Sequence, residues 1–305
     1  MVAAGIFNPV TGRRFVKTWK AELLFPFAKI TYQHLENILN CSFYKEKSIL
    51  KYFKDATTEN DWIYKNEQNE YAKYKSPLLI NPALKSNPYG GLQIEQSGYV
   101  DIPIFLYHFK NFLIAKKYYY PDTFNYKDII IEGDFIKWKS IITKKIIFCE
   151  GHHALTNPYF DWLPFNLVKG EILTIKAPKL NIHQIINTGI FIMPVEKDVY
   201  KVGSTYTWNY INDEPTTVGR DEIRSKLEHI ISCEYKIIDH QSGIRPTVKD
   251  RRPLAGMHPN QKNIAIFNGL GTKGVSIAPY FANQFAEYLI NGIQFDDEIN
   301  INRFL

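Results

Sequence analysis

A strand, a glycine-rich turn and a helix follow one another near the C-terminus: Ile264–Phe267, then Gly269-Leu270-Gly271-Thr272-Lys273-Gly274, then Val275–Ile290. No other stretch of the chain constrains the fold so tightly. Glycines at this spacing let the backbone turn within a few residues and bring a helix start close to whatever lies beyond the strand. The free N–H groups and dipole of that start attract negative charge. The turn is a literal GxGxxG, with Asp296 and Asp297 a little over twenty residues on, roughly as in a dinucleotide fingerprint. The sequence stops at Leu305, however, which leaves too little chain for a complete mononucleotide fold after the turn. The unit therefore favours a helix N-terminus aimed at an electron-rich group.

With 305 residues, 45% of them hydrophobic and 22% charged, the chain can bury a sizeable core, and its length suggests about two domains. Cys41, Cys149 and Cys233 lie far apart and form no CxxC, which argues against a disulfide framework or a zinc site and for a reducing, cytoplasmic setting. No apolar run approaches the ~20 residues of a membrane helix, and Met1–Arg14 lacks the apolar segment of a signal peptide. A net charge of +6, from 37 basic and 31 acidic residues, is a weak pull toward acidic substrates and no nucleic-acid-binding block. An aromatic content of 15% suits an aromatic-lined ligand site, or simply a well-filled core.

Periodicity predicts a helix over Ala21–Leu39 with Leu23, Phe27, Ile30, Leu35 and Ile38 toward one face and Pro26 confined to the first turn. Ser42–Phe53 alternates like a strand. A second helix is expected from Thr58 to about Tyr74, and Lys75–Gly91, with Pro77, Pro82, Pro88, Gly90 and Gly91, reads as a long surface connection. Strands at Leu92–Gln96 and Tyr99–Asp101 precede a helix carried by Phe105, Leu106, Phe109 and Leu113. Further strands are expected at Asp128–Glu132, Phe135–Lys139 and Lys144–Cys149. Ile146–Cys149 is continuously apolar and ends in Glu150-Gly151, as a parallel strand buried on both faces would. Gly170–Ala177, Ile190–Val195 and Val199–Thr205 predict an antiparallel sheet, and a helix over Arg220–Ile231 leads to a strand near Tyr235–His240.

Among candidate chemical groups, Arg245 stands out. It lies in Gly243-Ile244-Arg245-Pro246-Thr247-Val248-Lys249-Asp250-Arg251-Arg252-Pro253, where prolines and glycines fix the backbone and a guanidinium offers a planar fork to a carboxylate. A turn-stabilising pair between Arg245 and Asp250 is the alternative. His152-His153 has no further ligand at metal spacing, and neighbouring histidines in an extended segment point to opposite sides, so no metal site is expected. Ser97 and Ser242 lack the context of a nucleophile elbow. Tyr206, Trp208 and Tyr210 alternate after a strand and could line a substrate pocket or form a half-buried sheet face.

Taken together, Gly243-Ile244-Arg245-Pro246-Thr247 with Asp250-Arg251 and Pro253, and Asn268-Gly269-Leu270-Gly271 with Gly274 and Ala278-Pro279, resemble the C-terminal signature of the D-amino-acid-oxidase-like (DAO) FAD-dependent oxidoreductases. The resemblance is to the glycine-oxidase type and to the oxidase domain of the bifunctional enzyme that modifies wobble uridine in tRNA. Ala3-Ala4-Gly5-Ile6-Phe7-Asn8-Pro9-Val10-Thr11-Gly12-Arg13-Arg14 resembles the loop after the family's first strand–helix–strand unit. Phe148-Cys149-Glu150-Gly151, Lys169-Gly170-Glu171 and Gly203-Ser204-Thr205 keep the family's order.

The resemblance implies an α/β (α+β) fold: a discontinuous, Rossmann-like FAD-binding domain with a parallel sheet (1–40, 92–155 and 240–305) and an antiparallel-sheet substrate domain (41–91 and 156–239). The family's first strand–GxGxxG–helix unit is expected to be missing from this sequence. FAD is the implied cofactor, contacted by Ala4, Gly5 and Ile6 and by Leu270, Gly271, Thr272, Lys273, Gly274, Val275 and Ser276. The helix start there would face the flavin edge that gains negative charge on reduction. Arg245 matches the arginine that binds the substrate carboxylate. Phe191 stands where glycine-oxidase-type relatives carry a pocket tyrosine, and with Tyr206 and Trp208 it forms the candidate substrate pocket.

The implied reaction is oxidation of the C–N bond of an amino acid or secondary amine that carries a carboxylate. Hydride passes from Cα to flavin, the imine hydrolyses, and molecular oxygen is a possible acceptor. No membrane partner is expected, and tRNA enters only by analogy with the tRNA-modifying relative. The alternative reading is a non-catalytic scaffold that binds a small anion or a protein.

Overall fold

The computed structural model describes residues 2–12, 15–53, 55–66, 71, 75–76, 84–85 and 89–305. Arg13 and Arg14, the expected helix end near Tyr74, and most of the Lys75–Gly91 connection with Pro77, Pro82 and Pro88 lie outside the described residues. Five α-helices are described: α1 (Ala21–Leu39), α2 (Ala56–Asn66), α3 (Ile102–Ala115), α4 (Thr217–Glu228) and α5 (Gly274–Asn291). Contacts group the chain into two compact units, Met1–His108 with Lys169–Gly243, and Phe109–Val168 with Ile244–Leu305. By contact, residues 1–40 and 92–108 cluster with the segments that carry the larger sheet.

The first unit is built on an eight-stranded sheet. Its order is Lys236–Arg245, Val168–Lys176, Val199–Gly203, Ile190–Glu196, Ile185–Thr188, Ile49–Tyr52, Gly91–Ile94, Lys75–Ser76. The central pairings are antiparallel, and Ile185–Thr188 runs parallel to Ile49–Tyr52. Successive residues of a strand face opposite sides, and the two sides hold different cores. Ile190, Ile192, Val202, Leu173 and Ile175 pack with Ile223 and Leu227 of α4. On the other side Met193, Ile185, Ile49 and Ile94 pack with Phe15, Phe53, Tyr71 and Trp62 of α2.

A smaller sheet, Ile6–Phe7, Gly98–Val100 and Tyr44–Glu46, lies in the same unit. Gly5 enters it with φ +68°, and a Cβ there would sit 2.0 Å from the Val100 carbonyl oxygen, so no other residue fits. The span of α1 is as its periodicity predicts, but the buried face differs. Ala21, Leu24, Phe25, Ala28, Tyr32 and Leu39 are buried, whereas Leu23, Ile30 and Ile38 of the expected stripe are exposed. Both stripes are apolar at helical spacing. The aromatic rings of Phe7, Phe43 and Tyr44 select the one that brings Phe25 and Tyr32 inward. Pro26 is the sixth residue of α1, hence in its second turn.

In the second unit Ile146–Phe148 pairs in parallel with Gln261–Asn268, which pairs on its other side antiparallel to Leu254–His258. The last strand was not evident from periodicity. Ile129–Glu132, Phe135–Trp138 and Ile141–Thr143 form a separate meander. Ile146–Phe148 is an edge strand, and Ile147 is 42% exposed, so the expectation of burial on both faces does not hold. No residue of α3 is buried, Phe105, Leu106, Phe109 and Leu113 included. Among the described residues no helix is long and apolar enough to cross a membrane.

One lysine gives the first unit a pH signature. Lys51 Nζ lies 4.3 Å from the centre of the Phe15 ring and donates to the Gly12 carbonyl. Burial, and next the charge of Lys65, lowers its pKa from 10.5 to about 8. The folded chain thus releases this proton near pH 8, whereas the unfolded chain keeps it until near 10.5, and stability contributed at this site rises with pH between the two. In thermal melts between pH 7.5 and 9.5, about the lower half of that window, wild type should gain Tm relative to Lys51→Met. An identical pH dependence in both would refute the assignment.

Candidate functional site

The glycine turn of the second unit is held from three sides. Gly269 has φ +71°, and a Cβ there would lie 2.7 Å from Val248 Cγ2. Asn268 Oδ1 accepts the Gly269 N–H at 2.8 Å while Asn268 Nδ2 donates to the Gly151 carbonyl at 2.9 Å, which ties the ends of the two parallel strands together. Gly271 N–H donates to the Pro246 carbonyl at 3.2 Å. That bond fastens the turn to the residue after Arg245.

Arg245 ends the strand Lys236–Arg245, and its carbonyl accepts the Thr247 N–H at 2.9 Å. Thr247 is itself fixed, since its carbonyl accepts Asn166 N–H at 2.8 Å and its hydroxyl donates to the Asn166 carbonyl. Asp250 is committed elsewhere: Oδ2 accepts Arg303 Nε at 2.8 Å and Oδ1 the Arg252 N–H at 3.0 Å. The turn-stabilising acid–base pair is therefore Asp250–Arg303, a partner that lies too far along the sequence to be guessed.

Lys273 precedes α5, and its carbonyl accepts the N–H groups of Ser276 and Ile277. The Gly274 N–H has no acceptor among the described residues. Burial, then the nearby Arg251, lowers Lys273 from 10.5 to about 8, so the turn carries a positive charge at neutral pH that weakens in mild alkali. A helix start with an open N–H, a cation beside it and no Cβ at Gly271 or Gly274 is chemistry that fits the electron-rich edge of a flavin.

In the first unit, Ala4, Ile6 and Phe191 pack against one aromatic core cluster, so these three candidates are brought together. Gly5 is buried, and its glycine requirement comes from Val100. Phe191 sits opposite Gly203, where a Cβ would approach its ring to 3.4 Å. Tyr206 and Trp208 follow the end of the strand Val199–Gly203. Their ring centres are 6.4 Å apart and they are 53% and 57% exposed, so they form no half-buried sheet face.

A buried charge cluster in the same unit escaped sequence reasoning. Lys169 and Glu171 lie two apart on one face of the strand Val168–Lys176, and each is only 2% exposed. Their ammonium and carboxylate are 3.7 Å apart. Glu171 accepts Thr216 Oγ1 at 2.8 Å and Thr216 N–H at 2.9 Å, and His240 Nε2 approaches it to 2.8 Å, out of line for a hydrogen bond. Opposite charges at i and i+2 in a strand whose other residues, Thr174 and the terminal Lys176 apart, are apolar were the available signal.

The remaining candidates are structural. Ser242 Oγ donates to the Asp213 carbonyl, and Ser97 Oγ to those of Lys47 and Ile94. His152 and His153 occupy a 3₁₀ turn, Gly151–Thr156, and not an extended segment, so their rings lie side by side at 4.1 Å. Among the described residues no three His, Cys, Asp or Glu side chains gather as metal ligands would.

The two glycines of the turn should respond differently to substitution. Gly269→Ala should cost at least about 2 kcal/mol, from strain at positive φ and overpacking against Val248. Gly274→Ala meets only the Leu270 side chain, Cβ at 3.5 Å and Cδ1 at 3.9 Å, both ordinary contacts, and should leave the melting temperature unchanged. Any affinity lost by Gly274→Ala for a ligand at the turn then reports the ligand's approach rather than misfolding.

Comparison with known proteins agrees with this geometry. The model of the DAO family, described as FAD dependent oxidoreductase, matches residues 129–288. A glycine oxidase of Bacillus licheniformis is 25% identical over a stretch spanning 41% of this chain and 35% of that relative, so the match covers about a third of the relative's length. Glycine oxidase from Geobacillus kaustophilus superposes with a TM-score of 0.75 at 17% identity, over 96% of this chain and 84% of that one. Iminodiacetate oxidase from Chelativorans sp. BNC1 gives 0.75 at 17% identity, over 95% and 85%. A family match covering more than half of the residues, on a mixed α/β fold shared with these oxidases, places the chain in the DAO family of FAD-dependent oxidoreductases.

Proposed function

We propose that the chain oxidises the C–N bond of a small amino acid or secondary amine bearing a carboxylate, with FAD as cofactor. The observation that carries this reading is the Gly271–Pro246 hydrogen bond, which holds a guanidinium-bearing strand end beside an open helix start in one compact unit. FAD, when bound, would supply the two-electron acceptor. Arg245 would pair with the substrate carboxylate and fix which C–H bond is presented. The backbone of Leu270–Ser276 and the Lys273 ammonium would favour negative charge developing on the ring. Ala4, Gly5 and Ile6 would supply a second backbone contact, and Phe191, Tyr206 and Trp208 an aromatic lining for the substrate.

No protein acid or base is needed if the amine binds deprotonated, which accords with the absence of a candidate catalytic carboxylate or histidine among these residues. On this reading 1–40, 92–155 and 240–305 serve the cofactor, and 41–91 and 156–239 the substrate. Oxygen is the proposed acceptor and the cytoplasm the proposed setting.

The test is a visible spectrum of protein purified with added FAD, followed by amine turnover. A bound-flavin spectrum is expected, and a colourless protein would favour the anion-binding scaffold instead. Arg245→Ala should then lose at least a hundredfold in kcat/KM, about 3 kcal/mol, for the best amino-acid substrate. Turnover within threefold of wild type would remove Arg245 from the role.

A further inference from the structure

Apart from Tyr107, the only polar side chains of α3 are His108, Lys110 and Asn111, and not one of its residues is buried. A helix this apolar is normally sealed into a core. Here Ile104, Leu106, Tyr107 and Ile114 stand exposed on it, Ile114 at 49%. Its C-terminus is closed by two backbone bonds: Lys117 N–H donates to the Ile114 carbonyl at 3.0 Å, and Tyr118 N–H to that of Leu113 at 2.8 Å. The turn needs a left-handed residue, usually glycine, and a lysine holds the position, Lys117 at φ +59°. In such a turn the apolar residue that follows commonly folds back onto the helix. Tyr118 does not, and is 77% exposed.

The charge of this stretch has one sign. From Ile102 to Pro121 there is no acidic residue. Lys116 and Lys117 meet no carboxylate among the described residues, and the Lys110 ammonium rests 5.0 Å from the centre of the Tyr119 ring. Exposed isoleucines, exposed tyrosines and uncompensated ammoniums thus follow one another in a single run of chain. An anionic bilayer favours all three: apolar side chains of a helix lying in its plane enter the acyl boundary, tyrosines sit at headgroup level, and lysines reach the phosphates. We propose that α3 with Lys116–Tyr120 is a docking surface for an anionic lipid membrane, on which it lies without crossing. The expectation of no membrane partner rested on the lack of a spanning helix, and a helix lying on the surface needs no spanning length. A nucleic acid would engage the lysines and tyrosines but leave Ile104, Leu106 and Ile114 in water. A second copy of this chain would set the same unpaired lysines near their own copies.

The test is co-sedimentation of the full chain, purified with added FAD, with vesicles of phosphatidylcholine alone or with about 30% phosphatidylglycerol. Wild type should partition onto the anionic vesicles at least tenfold more strongly than onto the neutral ones, and should release them in about 0.5 M salt. Lys116→Gln combined with Lys117→Gln should weaken the anionic binding tenfold. Ile114→Ser combined with Tyr118→Ser leaves the charge unchanged and should weaken it at least fivefold. Both variants should keep the wild-type melting temperature, because the side chains they replace are exposed. If either fails to fold, the dependence of wild type on lipid charge and salt reads the proposal without a variant.

No binding to the anionic vesicles, equal binding to the neutral ones, or binding that the folded Ile114 and Tyr118 variant keeps in full overturns the proposal. A dimer in light scattering that this variant dissociates overturns it in favour of a second copy. Capture of tRNA in preference to vesicles overturns it in favour of a nucleic acid. The outcome does not depend on whether the chain oxidises amines.

Discussion

One backbone hydrogen bond, from Gly271 N–H to the carbonyl of Pro246, decides what the second unit can present to a ligand. It joins a turn that only glycines can make to a strand end that carries a guanidinium. The fixity of each depends on the other. Gly271 has φ +56°, a conformation other residues resist, and Pro246 has no N–H with which to join a competing ladder. Beyond this bond Asn268 ties the parallel strands at Gly151, and Arg303 locks the far side of the arginine-rich segment through Asp250.

Elements with strong local codes were legible in the sequence. The helix Ala21–Leu39, the sheet strands around residues 170–203 and the final strand–turn–helix unit are where periodicity puts them, because alternation and glycine placement act over a few residues. What tertiary packing decides was not legible. The inward face of α1 was settled by aromatic rings from other segments, and the exposure of Ile147 by its place at a sheet edge. The partner of Asp250 was likewise hidden, since Arg303 is distant in sequence.

The candidate site divides the same way. Arg245 and Leu270–Ser276 could be named from sequence because a fixed guanidinium and a glycine-led helix start are local statements, and a family signature overlaps both. Lys169, Glu171, Thr216 and His240 could not, since their meeting requires two strands and a helix start to be assembled first. Buried charge is the least local property of a chain: whether a lysine is solvated or enclosed depends on every neighbour at once.

Gly219 shows how far that dependence reaches. A Cβ at this position would lie 2.4 Å from the Glu171 carboxylate, so the first turn of α4 and the acid on the strand occupy the same space and share it only because one of them has no side chain. The two positions are therefore not free to vary separately. A larger residue at 219 must displace, shorten or discard the acid at 171 and so disturb its two bonds to Thr216, whereas a chain without that acid loses the contact that excludes a side chain at 219. The pair would be inherited as a single trait written at two distant points of the sequence.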